Sequence, residues 1–186
     1  MKRIFDFFLS VFLIFLLLVP LCILSFAVKV SSKGSVLYWS NRVGRNNVIY
    51  RMPKFRSMKI NTPTVATNLL ENPNSFLSPI GSFLRNWSLD ELPQLISVLK
   101  GDMSFVGPRP ALYNQKDLID LRTKKGVNKL LPGITGWAQV NGRDELSNFD
   151  KVLLDEEYLK LKSFWFDMKI LWMTLLKVTK VNEVSH

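Results

Sequence analysis

Few residues in this chain can carry chemistry. Its 186 residues include one cysteine, Cys22, and one histidine, His186, which is the last residue. A lone cysteine forms no intramolecular disulfide and no cysteine metal cluster. A lone terminal histidine is a poor basis for a Ser-His-Asp triad, a Cys-His pair or a His-ligated zinc. Catalysis, if there is any, falls to carboxylates, lysines, arginines or hydroxyls. The adjacent acids Asp90-Glu91 stand out, after Ser88-Leu89 and ahead of Pro93. One reading is a capping box, with Ser88 as N-cap and Glu91 three residues on, the acids favouring a helix start. The other begins the helix at Pro93, which disfavours helical geometry at Leu92 and leaves the acids in the preceding loop. An ionised pair there can hold Mg²⁺, and one member can act as a nucleophile.

Two further segments suit phosphate. In Gly107-Pro108-Arg109-Pro110 the prolines restrict the backbone on both sides of an arginine, the side chain best fitted to bidentate phosphate binding. A structural loop arginine paired with a surface acid is the plainer reading. In Gly133–Arg143 the glycines allow close backbone approach, Trp137 offers a stacking face and Arg143 a second phosphate contact; alone, this is only a polar loop. No G-x-x-x-x-G-K-[ST] occurs, and no G-x-G-x-x-G follows a strand, which argues against a P-loop NTPase or a dinucleotide-binding domain.

The elements that must position these groups begin with an apolar run, 4–30. Phe7–Val28 is long enough to cross a hydrocarbon core of about 30 Å. It exceeds the usual signal-peptide core of about 7–15 residues. Lys2 and Arg3 precede it, and Lys29, Lys33, Arg42 and Arg45 follow, so the positive-inside rule gives no orientation for a simple span. Pro20 lies deep in the run. It lacks an N–H, frees the carbonyl of Leu16 and can kink the helix sharply. A helix kinked there could enter one leaflet and return to the same face, with Ser10 and Ser25 as nearby hydroxyls for a freed carbonyl. A spanning helix that tolerates a proline remains the competing reading.

Beyond it, Val36–Trp39 and Val48–Met52 read as a hairpin with a long polar turn at 41–47. Lys54–Lys59 is basic and amphipathic, and 61–79 reads as irregular. Helical patterns cover Ile80–Trp87, Leu92–Lys100, Leu112–Lys129, Lys151–Lys162 and Phe164–Lys180, while Leu131–Arg143 reads as a loop. The last helix carries aromatics with lysines around them, which suits either an interfacial or a core helix. Of the net charge of +10, residues 1–60 hold +9, with no acid between Asp6 and Glu71. A basic segment directly after an apolar run suits anionic lipid or a phosphorylated substrate, and no nucleic-acid module is recognisable.

Taken in order, Lys54-Phe55-Arg56-Ser57-Met58, Ser88-Leu89-Asp90-Glu91, Leu99–Pro110 and Pro132–Arg143 resemble the bacterial sugar transferase family, the monotopic phosphoglycosyl transferases. The likeness covers essentially the whole chain, whose length resembles short members without extra membrane helices. It implies transfer of a sugar-1-phosphate from a UDP-sugar to polyprenyl (undecaprenyl) phosphate, with release of UMP, as the first step of surface polysaccharide or glycoprotein glycan assembly. It implies that Asp90 is the nucleophile forming a covalent phosphosugar intermediate, that Asp90 and Glu91 serve Mg²⁺, and that Arg85, Arg109 and Arg143 bind phosphates. The family's membrane segment is a re-entrant helix broken at a Ser-Pro pair; here Val19-Pro20 keeps the proline and lacks the serine.

The resulting expectation is an α+β, mostly helical protein on the cytoplasmic face of a bacterial inner membrane. Residues 1–33 form a re-entrant membrane helix. Residues 34–186 form a catalytic domain with a small hairpin and amphipathic interfacial helices. Its partners are a UDP-sugar, polyprenyl phosphate and anionic lipids, and no nucleic acid. The expected sugar is an N-acetyl-aminosugar, with a hexose as the alternative. A basic membrane-surface scaffold without catalysis, or a protein secreted after signal cleavage, are the other readings.

Overall fold

A computed structural model describes residues 1–63, 72–142 and 145–180. It is α+β and mostly helical, and it divides into two compact units. The first comprises Met1, 3–41 and 51–100; the second comprises Lys2, 42–50 and 101–186.

The first unit opens with helix α1, Lys2–Leu16, and α2, Leu18–Ser31, bent 65° at Leu17. The bend falls three residues before Pro20. That offset has a physical reason: the proline's missing N–H removes the bond to the carbonyl four residues back, at Leu16. Ser10 Oγ donates to the carbonyl of Phe7 and Ser25 Oγ to that of Leu21, each within its own turn. The buried residues of α1 are Asp6 (2% exposed) and Ser10 (0%), one turn apart, while Phe8, Phe12 and Phe15 face outward, Phe15 with 81% of its surface exposed. In α2 an exposed stripe runs through Val19, Ile23, Phe26 and Val30. Polar residues inside and apolar ones outside reverse the pattern of a surface helix in water. No single helix is long and apolar enough to cross a membrane among the described residues, although the bent pair together is.

Strands β1, Leu37–Val43, and β2, Ile49–Phe55, pair as a hairpin around a 3₁₀ turn at Arg45–Asn47. Both strands extend beyond the expected limits. The turn is made by Asn46 and Asn47, both left-handed, a conformation asparagine tolerates better than most residues. Val28 of α2, Phe55 of β2 and Leu84 of α3 (Gly81–Asn86) form the core of this unit. A 3₁₀ segment, Leu89–Gln94, follows and runs into α4, Leu95–Lys100. The guanidinium of Arg3 donates to the carbonyls of Val98 and Leu99, satisfying two groups at the α4 C-terminus and placing a cation at its negative end.

The second unit contains a two-stranded parallel sheet of β3, Ser104–Val106, and β4, Gly133–Thr135, in the register Ser104–Gly133 and Val106–Thr135. β4 lies where the sequence reads as loop, and β3 in a stretch to which the sequence assigns no element. They are three residues long, too short for an alternating pattern. Their glycines are set by contact: a Cβ on Gly133 would lie 2.2 Å from the Gly107 nitrogen, and one on Gly136 would lie 2.1 Å from the Gly107 oxygen. Helix α5, Lys116–Lys124, is shorter than the expected 112–129. Pro110 constrains the chain before it, and Gly126, at φ +73°, turns it after. Next come α6, Trp137–Val140, and α7, Asn148–Leu161, whose N-cap Ser147 accepts from the Asp150 N–H at 3.1 Å. The last helix, α8, spans Phe164–Lys180. It buries Asp167 and Ile170 and exposes Trp165 (79%), Trp172, Leu175 and Leu176. The apolar core of the unit gathers Ala111, Leu118 and Val152.

Candidate active site

Asp90 and Glu91 sit in the 3₁₀ segment Leu89–Gln94, ahead of α4. Leu89 and Leu92, one 3₁₀ turn apart, share a face and pack on the Val28–Phe55–Leu84 core. That anchoring fixes where the two acids between them can go. Asp90 is buried, with 7% of its surface exposed. Glu91 Oε1 accepts from Lys54 Nζ at 2.8 Å, and both side chains are mostly buried. A buried ion pair of this kind depends on good geometry to offset the loss of hydration.

The capping-box alternative is not what forms. Ser88 occupies the N-cap position, but its backbone is left-handed (φ 54°) and its side chain makes no capping bond. The Glu91 carboxylate goes to Lys54, not back to the helix start. A non-glycine residue in this conformation stores local strain, of the kind that concentrates at functional sites.

Arg85 lies in the last turn of α3, half-buried, and its carbonyl accepts from the Ser88 N–H at 3.1 Å. It thus belongs to the turn that leads into Asp90. Lys54 was not singled out for chemistry by the residues alone. The signal for it is its place in the Lys54–Met58 motif, on β2.

Arg109 belongs to the second unit. Its carbonyl accepts from Arg122 Nη1 at 2.8 Å, and Arg122 donates through Nε and Nη2 to Asp155 Oδ2 at 2.9 and 2.7 Å. Asp155 is 1% exposed. Burial pushes its carboxyl up, with Arg122 pulling it back. Arg122 and Asp155 therefore hold the Pro108-Arg109-Pro110 loop, and neither was foreseen from sequence; a pair 33 residues apart on α5 and α7 leaves no local signal. Arg143 lies outside the described residues.

Asp90 and Glu91 are suited to a divalent cation of one kind. Among the described residues no group of three or more His, Cys, Asp or Glu gathers to hold a metal alone. Adjacent carboxylates instead match Mg²⁺, which takes one or two protein carboxylates and completes its shell with substrate phosphates and water.

In the first unit, then, a buried aspartate lies beside an ion-paired glutamate, just after the α3 turn that carries Arg85. A sequence profile of bacterial sugar transferases matches residues 1–181, and the chain belongs to that family. It is 41% identical over 194 residues to the UDP-glucose:undecaprenyl-phosphate glucose-1-phosphate transferase of Escherichia coli K12, covering all of this chain and 41% of that protein. It is 35% identical to the undecaprenyl-phosphate galactose phosphotransferase of Salmonella typhimurium, over 94% of this chain and 39% of that protein. It is 38% identical to EpsL, an uncharacterised sugar transferase of Bacillus subtilis, over 100% of this chain and 92% of that protein. The first three curated relatives are matched over only 41%, 35% and 34% of their own length.

Proposed function

We propose that this protein transfers a sugar-1-phosphate from a UDP-sugar to polyprenyl phosphate, releasing UMP and starting a glycan on its lipid carrier. The observation that carries the reading is the Asp90-Glu91 pair, with Asp90 buried and Glu91 tied to Lys54, in a chain of this family. A carboxylate oxygen of Asp90 attacks the β-phosphorus of the donor. The bond from that phosphorus to the UMP oxygen breaks, and UMP leaves with the electron pair. The phosphosugar is then held on Asp90 as an acyl phosphate. A phosphate oxygen of the polyprenyl carrier attacks the same phosphorus, the bond to Asp90 breaks, and the carboxylate is restored.

Lys54 holds the Glu91 carboxylate in place next to Asp90 in the chain. Arg85, Arg109 and Arg143 are assigned to the phosphates, whose charge a carboxylate nucleophile must approach. Mg²⁺ bound by Asp90 and Glu91 would supply charge neutralisation on the diphosphate.

The sugar is better read as a hexose than as the N-acetyl-aminosugar expected at first. The relatives in Escherichia coli and Salmonella are named for glucose and galactose, and that supports the hexose alternative. The exposed apolar stripes of α1 and α2 and the outward tryptophans of α8 support a monotopic seat in the bacterial inner membrane, on its cytoplasmic face where UDP-sugars are present.

The test is UMP release from UDP-glucose, UDP-galactose and UDP-N-acetylglucosamine, with and without polyprenyl phosphate and Mg²⁺, for wild type and Asp90→Asn. We expect Mg²⁺-dependent UMP from a hexose donor, acceptor-dependent turnover, and at least a 10³-fold loss in the variant. Activity kept by Asp90→Asn overturns the nucleophile; UMP only from the aminosugar donor overturns the hexose.

A further inference from the structure

In the first unit, a cavity of about 460 Å³ opens beside the end of α2. Lys33, Lys59, Asn61, Ser75 and Ser78 are among the residues that line it, and among the described residues no carboxylate does. Two cations with no counter-charge among the described lining residues make that lining electropositive. Lys33 and Asn61 have no hydrogen-bond or ion-pair partner among the described residues. Lys59 Nζ gives one bond to the Ser75 carbonyl, at 2.7 Å, and keeps two donors. The Ser78 hydroxyl is buried without a hydrogen-bond partner. A buried polar atom in that state calls for an explanation, and a ligand in the cavity is one.

The loop beside the cavity is fixed by its own contacts. Gly34 has φ +110°, and a Cβ there would lie 3.2 Å from Ile60. Arg56 Nε donates to the Ser35 carbonyl and Nη2 to its hydroxyl, both at 2.8 Å. Lys33 is thus carried on a braced turn at the polar end of a helix whose outward stripe, through Phe26 and Val30, is apolar. The volume lies in the range of ligand pockets and exceeds what a bare phosphate needs.

We infer that this cavity is a binding site for the phosphoryl headgroup of an anionic glycerolipid, separate in its residues from Asp90 and Glu91. The inference rests on the membrane-seated reading of α1 and α2. Lys33 and Lys59 take the phosphate, Asn61 and Ser78 lie beside it, and the exposed face of α2 runs along the acyl chains. The site would hold the protein at a fixed depth through a lipid that does not react.

The test is flotation of the full chain with vesicles of phosphatidylcholine alone, or with three parts in ten of phosphatidylglycerol. Wild type binds both, and phosphatidylglycerol tightens binding about tenfold. Lys33→Gln/Lys59→Gln and Ser75→Trp, which fills the cavity without changing charge, bind phosphatidylcholine like wild type and lose that gain. Lys33→Arg/Lys59→Arg keeps it. A gain that survives in Ser75→Trp is general electrostatic attraction and overturns the site. No flotation with either vesicle overturns the membrane reading and the site with it. Glycerol 1-phosphate that protects the chain from heat as strongly as phosphatidylglycerol, with both dissolved in neutral micelles, reassigns the cavity to a soluble phosphate and overturns the lipid.

Discussion

Lys54 and Glu91 form the contact at which residue identity matters most for the proposed chemistry. Both are mostly buried, so removing one takes from the other a counter-charge at 2.8 Å that water cannot fully replace. Lys54→Ala should therefore cost about 3 kcal/mol of stability, read by denaturant unfolding, and should also depress transfer. Lys54→Met/Glu91→Gln, which removes both charges at similar volume, should recover much of the stability and none of the activity. A purely structural pair would recover both. The acids themselves were legible in the sequence, because two adjacent carboxylates before a proline stand out. Their partner was not, since Lys54 lies 37 residues away and only the hairpin and the α3 turn bring it there. Arg122 and Asp155 were hidden for the same reason. Their effect on the Arg109 carbonyl is a tertiary fact, and Asp155→Ala should cost about 3–5 kcal/mol by leaving Arg122 buried without its anion.

At the scale of elements, the sequence pattern found the long elements and the short helices α3 and α4, and missed the three-residue strands. The apolar run, the hairpin, α7 and α8 were readable because each repeats its pattern over enough residues. The bend in the N-terminal pair lay close to Pro20 because a proline acts on the carbonyl one turn back. The β3–β4 pair left no pattern. It is held by backbone approaching backbone, and what marks it in the sequence is glycine where a side chain would collide. Gly133→Ala is accordingly expected to be far worse than a helix-propensity effect of about 1 kcal/mol. Its Cβ would meet main-chain atoms at 2.2 and 2.3 Å, which no rotamer change relieves. Loss of cooperative thermal unfolding is the expected reading. A variant with wild-type unfolding would mean the strands can separate without cost.

For the whole molecule, the decisive feature is how charge and apolar surface are distributed. Residues 1–60 carry +9, yet their helices turn phenylalanine, valine and isoleucine outward and keep Asp6 and Ser10 inside. Water would penalise that arrangement by about 25 cal/mol for each Å² of apolar surface left exposed, whereas a lipid phase removes the penalty. The basic residues on both flanks of α1 and α2 then select between two ways of meeting lipid. A straight span puts one basic flank across the membrane, against the bias that holds Lys and Arg in the cytoplasm. A pair bent 65° can return both flanks to the same face. A single cysteine at Lys33, in a Cys22→Ser background, tests this in spheroplasts with a membrane-impermeant maleimide. The expected result is no labelling until the cells are opened, matching a cysteine placed at Lys2. Labelling of position 33 from outside, with position 2 protected, would mean a span. It would also put most of the proposed active site on the side of the membrane without UDP-sugars, so the same experiment bears on topology and on chemistry.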